Sequence, residues 1–192
     1  MARNIEFNES EAIQKAMEVF WKKGYNATSM RDLTDAMKIN SSSLYNTIGD
    51  KHQLFLKCLT HYTDLRKKDF QERKEKKDLP IKVLLDFLND AVKSILIDPN
   101  ACLAVKTAFE IGPDDKAVQY ILKEDTEFTR NFLIDTISKA KDSGSLNKEI
   151  SPEVLADFVI STYSGWYEMY IINKNPEQIK KMADFFINQI LK

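Results

Sequence analysis

Ser41, Ser42 and Ser43, followed one turn later by Tyr45 and Asn46, gather hydroxyl and amide groups at the point where a short helix would begin. Such groups hydrogen-bond phosphate oxygens and base edges, and asparagine can pair bidentately with adenine. A helix start adds unpaired N–H groups and a partial positive charge, both suited to an anion. Thr28, Ser29 and Arg31 on one side and Lys51 on the other are placed to hold the flanking phosphates. A second constellation suggests different chemistry. His52, Cys58 and His61 lie close together, and Cys58 and His61 have an i, i+3 spacing usable by a metal. No fourth ligand follows at helical spacing, and the chain has neither a glycine-rich phosphate loop nor a serine elbow. The expectation is therefore no enzyme, no metal and no cofactor.

Presenting the serine triplet requires a helix that starts at it. Asn8 and Glu11 have capping-box spacing, and Ile13, Ala16, Met17 and Phe20 recur at helical steps up to Gly24, defining a first helix. Thr28 or Ser29 caps a second, in which Met30, Leu33 and Met37 share a stripe and Asp32 completes a box with Ser29. After the turn "KIN", Asn40 caps a very short third helix, "SSSLYN", which stops at Gly49, and Asp50 caps a fourth. Two short helices joined by a tight turn, the second opening on hydroxyls, form the pattern of a helix-turn-helix. The fourth helix continues through Leu54, Phe55, Cys58, Leu59, Tyr62 and Leu65 to the charged run "RKKDFQERKEKKD" at 66–78, which reads as a solvated helix end and linker. Five more helices are expected. They run from Pro80 to "DPN" at 98–100, over "ACLAVKTAFEI" closing at Gly112-Pro113, and over 115–142, 152–173 and 176–191.

The bulk properties agree with an all-α protein of about nine helices. Of 192 residues 43% are hydrophobic, enough for a substantial core, while glycine and proline number only five each and no segment alternates strictly. The apolar runs are far shorter than the roughly 20 residues that span a bilayer, and the N-terminus lacks an apolar signal core, so a cytoplasmic protein without a membrane partner is expected. Cys58 and Cys102 sit in helical apolar patterns, as reduced packing residues do. A net charge of −1 excludes a non-specific DNA coat, and residues 1–51 carry seven basic and seven acidic side chains. Any DNA-binding face must come from local placement.

Residues 16–59, "AMEVFWKKGYNATSMRDLTDAMKINSSSLYNTIGDKHQLFLKCL", closely resemble the DNA-binding domain of TetR/AcrR-type transcriptional regulators. The matching features are Phe20 followed by Lys23-Gly24-Tyr25, Thr28-Ser29 opening the second helix, Leu44-Tyr45 in the third, and Gly49-Asp50-Lys51 leading to Leu54-Phe55. "ACLAVKTAFEI" and "SGWYEMYIINKN" look like the family's sixth and eighth helices. There are departures. The family often has Lys-Gly-Thr where this chain has Ser41-Ser42-Ser43, which removes a phosphate-seeking lysine; it usually has Phe at Ile48 and often His at Thr47. The resemblance implies a three-helix DNA-binding domain at 1–50 and a helical effector-binding and dimerisation domain at 51–192. Its partners would be a double-stranded operator, a small and largely apolar effector and a second copy of the chain, most simply as a ligand-released repressor.

The last two-thirds partly support that division of labour. On the helix at 152–173 the stripe Val154, Phe158, Ser161, Gly165 and Met169 carries small side chains that permit close approach, and is assigned to the dimer interface with Met182, Phe186 and Ile190 of the last helix. The stripe Leu155, Val159, Thr162, Trp166 and Tyr170 then faces the protomer interior. Tyr62, Phe87, Cys102, Phe109, Phe128, Phe132, Tyr163, Trp166 and Tyr167 are the candidates for an aromatic effector pocket. Lys106 and Glu110, one turn apart, read as a surface ion pair or as polar contacts to a ligand. Two other readings stay open: a metal-sensing regulator using His52, Cys58 and His61, and a helical protein-interaction module without DNA binding.

Overall fold

The computed structural model describes residues 8–75, 78–97, 102–146, 149 and 151–191, and among these every regular element is a helix. In order they are α1 (Glu9–Lys23), α2 (Met30–Met37), α3 (Ser41–Thr47), α4 (Lys51–Glu75), α5 (Pro80–Ile97), α6 (Leu103–Glu110), α7 (Lys116–Asp142), α8 (Pro152–Asn173) and α9 (Pro176–Ile190). The "DPN" tripeptide and Ala101, expected at a helix end and a helix start, lie outside the described residues, as do 76–77 of the charged run. No described helix is long and apolar enough to cross a membrane.

Capping side chains set most of these boundaries. Asn8 Oδ1 accepts the Ser10 and Glu11 amides at the start of α1, while the Glu11 carboxylate turns to Lys15 at 2.6 Å rather than closing a reciprocal box. Ser29 and Asp32 do form the reciprocal box that opens α2. Asn40 Oδ1 accepts the Ser43 amide at 2.7 Å, and Asp50 and Gln53 exchange backbone-to-side-chain hydrogen bonds at the head of α4. Each such cap is worth about 0.5–2 kcal/mol, which lets helices as short as α2 and α3 hold fixed ends.

The chain forms two compact units, drawn differently from a single cut near residue 50. The first comprises Met1–Arg66 with Leu103–Glu124, the second Lys67–Cys102 with Asp125–Lys192. Both α4 and α7 thus contribute residues to each unit. In the first, Phe20 lies edge-on to Phe55 at 4.9 Å between ring centroids, with Ala16, Met17, Leu33, Leu44 and Leu54 buried around them.

In the second unit, α5, α8 and α9 pack on one another. Phe70 stacks on Phe132 at 4.9 Å and lies 5.6 Å from Phe87. The charged run therefore does not end α4. Phe70 is buried within it, and Arg73 reaches Asp69 at 2.7 Å and Asp90 of α5 at 2.9 Å, so helix and packing continue to Glu75. Leu65, by contrast, is 46% exposed although it keeps the helical period.

Candidate nucleic-acid interface

The third helix presents its two faces as its sequence demands. Leu44 is fully buried, and its carbonyl receives the Ile48 and Gly49 amides that end the helix. Tyr45 next to it is 53% exposed, and Ser41, Ser42 and Asn46 are exposed with it, while Ser43 is half-buried. Ser42 Oγ donates to Asn40 Oδ1 at 2.7 Å, which fixes the hydroxyl's hydrogen and leaves its lone pairs outward. Lys38, passed over in the sequence, adds an exposed cation in the α2–α3 turn with its backbone in the left-handed region at φ 56°.

Of the four flanking residues, two are exposed, one is half-buried and one is buried. Arg31 is 90% exposed, with Asp35 at 3.7 Å, and Ser29 is exposed with its hydroxyl donated to Asp32 at 2.8 Å. Lys51 sits with Nζ 4.5 Å above the Tyr25 ring. Thr28 is different: it is 1% exposed and its hydroxyl donates to the Gly24 carbonyl at 2.5 Å. Its role is to close the α1–α2 turn, so a phosphate contact from Thr28 is corrected to an internal one. The neighbouring carboxyl of Asp32 is held well below its ordinary range by its hydrogen bond from Lys23, then by those from the Ser29 amide and hydroxyl. Lys23 Nζ lies 2.6 Å from Asp32 Oδ1. Arg31 and Lys38 are thus exposed cations, and Lys51 is half-buried.

The other expected constellations fare unevenly. His52 Nε2 meets Asp115 at 2.6 Å, Cys58 Sγ donates to the Ile13 carbonyl and His61 Nε2 lies 3.2 Å from Gln14 Oε1. The three side chains serve three different neighbours, and no group of His, Cys, Asp or Glu among the described residues is placed to hold a metal. Burial also pushes the Cys58 thiol well above its usual range.

Among the pocket candidates, Phe109 is 73% exposed. It faces away from the buried side of α6, which is Leu103, Ala104 and Thr107. Tyr62 is buried in the first unit. Phe87, Phe128 and Phe132 are gathered with Phe70 in the second, and Cys102, Trp166 and Tyr167 are buried there. Tyr163 reaches Ser94 Oγ at 3.3 Å.

On the dimer stripe, Val154 and Phe158 are 65% and 57% exposed, Ser161 is exposed, and Gly165 and Met169 are half-buried. Ile172 extends the stripe at 66% exposed, and Phe185 of α9 is 67% exposed. Phe186 and Ile190 are corrected: both are buried, and Phe186 packs edge-on to Trp166 at 5.9 Å within the protomer. Met182 lines an open groove of about 870 Å³ with Phe158, Trp166, Phe185 and Phe186. Lys106 and Glu110 form no ion pair with each other; both reach the α1–α2 turn, as described below.

Comparison with known proteins is consistent with this geometry. Residues 12–58 match the family model of bacterial regulatory proteins, tetR family, and residues 82–186 that of a tetracyclin repressor-like C-terminal domain. The chain is 31% identical over 152 residues to the HTH-type transcriptional regulator YezE of Bacillus subtilis (strain 168), covering 78% of each protein. It is 22% identical over 181 residues to the HTH-type transcriptional repressor DhaR of Mycobacterium sp. (strain GP1), covering 93% of this chain and 90% of that one. Among solved structures it is similar to the TetR family regulator CifR, a cysteine mutant complexed with 26-bp double-strand operator DNA. The TM-score is 0.81 at 24% identity, over 97% of this chain and 98% of that one.

Proposed function

From the premise that this chain belongs to the bacterial TetR family of transcriptional regulators, whose members bind operator DNA, we propose that it is a homodimeric repressor released from its operator by a small, largely apolar effector. The observation that carries the DNA-reading half is the partition of α3, with Leu44 buried and Ser41, Ser42, Tyr45 and Asn46 outward between the cations Arg31 and Lys51. Tyr45 and Asn46 face base edges or sugar-phosphate, while Arg31, Ser29 and Lys51 hold phosphates on either side. Residues 1–50 do the reading, and 51–192 supply dimerisation and effector binding.

The second copy covers the apolar face of α8 and α9. Val154, Phe158, Ile172 and Phe185 are each more than half exposed, and a contiguous apolar surface of this kind marks an association site. Two copies related by a two-fold axis place their reading helices on half-sites about 34–36 Å apart. The effector binds in the second unit near Phe87, Phe128, Tyr163 and Tyr167, and acts through α4 and α7, whose residues are shared between the units. Its affinity for the protein then falls on operator binding by the same factor by which it weakens the operator.

Selection of a duplex from a random pool by the full-length protein tests the reading. The expected product is a near-palindrome, bound with a salt dependence that Lys51→Ala flattens by about one unit. Failure to enrich any duplex overturns the DNA-binding assignment, and an enriched but non-palindromic site overturns the dimeric mode.

A further inference from the structure

The α1–α2 turn is held by a helix that lies some eighty residues away in sequence. Glu110, at the end of α6, accepts the Tyr25 amide on Oε2 at 3.0 Å and the Asn26 amide on Oε1 at 2.8 Å. Lys106, one turn earlier, donates from Nζ to the Trp21 and Lys22 carbonyls at 2.9 and 3.2 Å. These are chemically matched partners. The last carbonyls of α1 have no amide ahead of them in the helix and carry its partial negative charge, which a cation complements. The two amides just past the helix end present adjacent donors, which a carboxylate bridges with both oxygens.

Gly24 shows how closely the clamp is built into the backbone. Its φ of 84° lies in the left-handed region, and a Cβ there would stand 2.7 Å from Glu110 Oε2. Glycine therefore serves two demands at once: the turn conformation and room for the carboxylate.

We propose that Glu110 and Lys106 are positioning residues for operator binding, fixing from outside the helix-turn-helix the one turn on which both flanking phosphate contacts depend. This rests on the DNA-binding reading above. Going forward from the clamp, Thr28 ties its hydroxyl back to Gly24 and Ser29 caps α2, which places Arg31 in the first turn of that helix. Going sideways, the Tyr25 ring packs on Phe55 at 4.9 Å and lies beneath Lys51 Nζ at 4.5 Å, which places the cation at the head of α4. A turn released from Glu110 loosens Arg31 in α2 and Lys51 at the head of α4 together.

The test uses the full-length protein and its selected duplex, with dissociation constants measured by fluorescence anisotropy across a salt series. Glu110→Gln keeps the size but replaces one acceptor oxygen with a donor facing an amide, and Lys106→Met keeps the stem without the charge. Each is expected to weaken operator binding at least tenfold with the wild-type salt slope, because Arg31 and Lys51 still meet their phosphates in the complex and only the cost of ordering the turn on binding is added. Lys51→Ala in parallel lowers the slope itself. Amide exchange at Tyr25 and Asn26 is expected to speed up in Glu110→Gln while the Leu44 and Leu54 amides keep their protection, which separates a released turn from an unfolded unit. Wild-type affinity in both folded variants overturns the clamp and leaves the DNA-binding reading intact, as does a slope that falls along with affinity. Global loss of protection in Glu110→Gln hands the decision to Lys106→Met alone. A wild-type protein that selects no duplex overturns both.

Discussion

In the first unit, Asn8, Ser29, Asn40, Asp50 and Asp115 each accept backbone amides of the following turn, and Glu110 does the same for a turn outside its own helix. The second unit caps α8 and α9 at Ser151 and Asn175 in the same way, and where the first gathers its rings at Phe20, Tyr25 and Phe55, the second gathers them around Phe70 and Trp166. It also leaves Val154, Phe158 and Ile172 of α8 and Phe185 of α9 each more than half exposed. Hydrogen bonds to backbone fix a helix end to within a few tenths of an ångström, as presentation of side chains to a duplex requires. Ring packing is directional only weakly and tolerates repacking.

The largest expected effect comes from cutting the apolar centre of each unit. Phe20→Ala and Phe132→Ala remove rings at 0% and 2% exposure and are each expected to cost about 3–5 kcal/mol in urea unfolding. The contrast lies in the partner lost: Phe20→Ala abolishes operator binding at temperatures where dimerisation persists. Equal loss of both functions in both variants would erase the distinction.

Gly165→Trp comes next. A Cβ at Gly165 meets nothing within 4 Å, so a side chain can start outward there without displacing the protomer's own atoms. Sedimentation is expected to show a dimer dissociation constant raised at least a hundredfold, about 2.8 kcal/mol, with the protomer still folded. A fully dimeric variant at micromolar concentration would move the seam off this stripe.

Asn40→Ala and Asn175→Ala remove matched caps, one in each unit, each costing about 1 kcal/mol. Only the first is expected to weaken operator binding, since it frees the Ser42 hydroxyl as well as the α3 start.

The smallest effect is on the acid side of the stability profile. The Asp32 carboxyl is depressed in the folded chain, first by Lys23 and then by Ser29. Its contribution is therefore present above the unfolded value of about 3.9 and is lost as pH falls below it. Asp32→Asn should flatten the fall in urea midpoint below about pH 4 and leave the second unit's ring cluster unaffected. An unchanged acid limb would mean that Lys23 does not favour the ionised form.

The helix starts were legible because caps act over three residues: Ser29 with Asp32 and Asn40 with Ser43 are visible in the sequence itself. The periodicity of α8 likewise separated Leu155, Val159 and Trp166 from Val154 and Phe158. What failed had a physical reason in each case. Phe109 was drawn toward a pocket by its ring, yet α6 buries the opposite side, and a helix this short offers too few turns to define a face. Thr28 looked like Ser29, and only the fold shows its hydroxyl turned back to Gly24. Phe186 lies on an apolar stripe that serves the protomer's own core, and period alone does not say which body covers a stripe. The Lys106 and Glu110 partners are backbone atoms, which no side-chain pattern records.

The discontinuity of the first unit bears on how reading heads can be exchanged between relatives. A splice placed after the helix-turn-helix would leave Glu110, Lys106 and Asp115 behind with the recipient, whose own residues would then face a foreign α1–α2 turn and a foreign His52. The transplantable piece is two segments, 1–66 and 103–124, and its second segment interrupts the sequence of the other body. A hybrid regulator that is to keep these hydrogen bonds therefore needs two grafts rather than one.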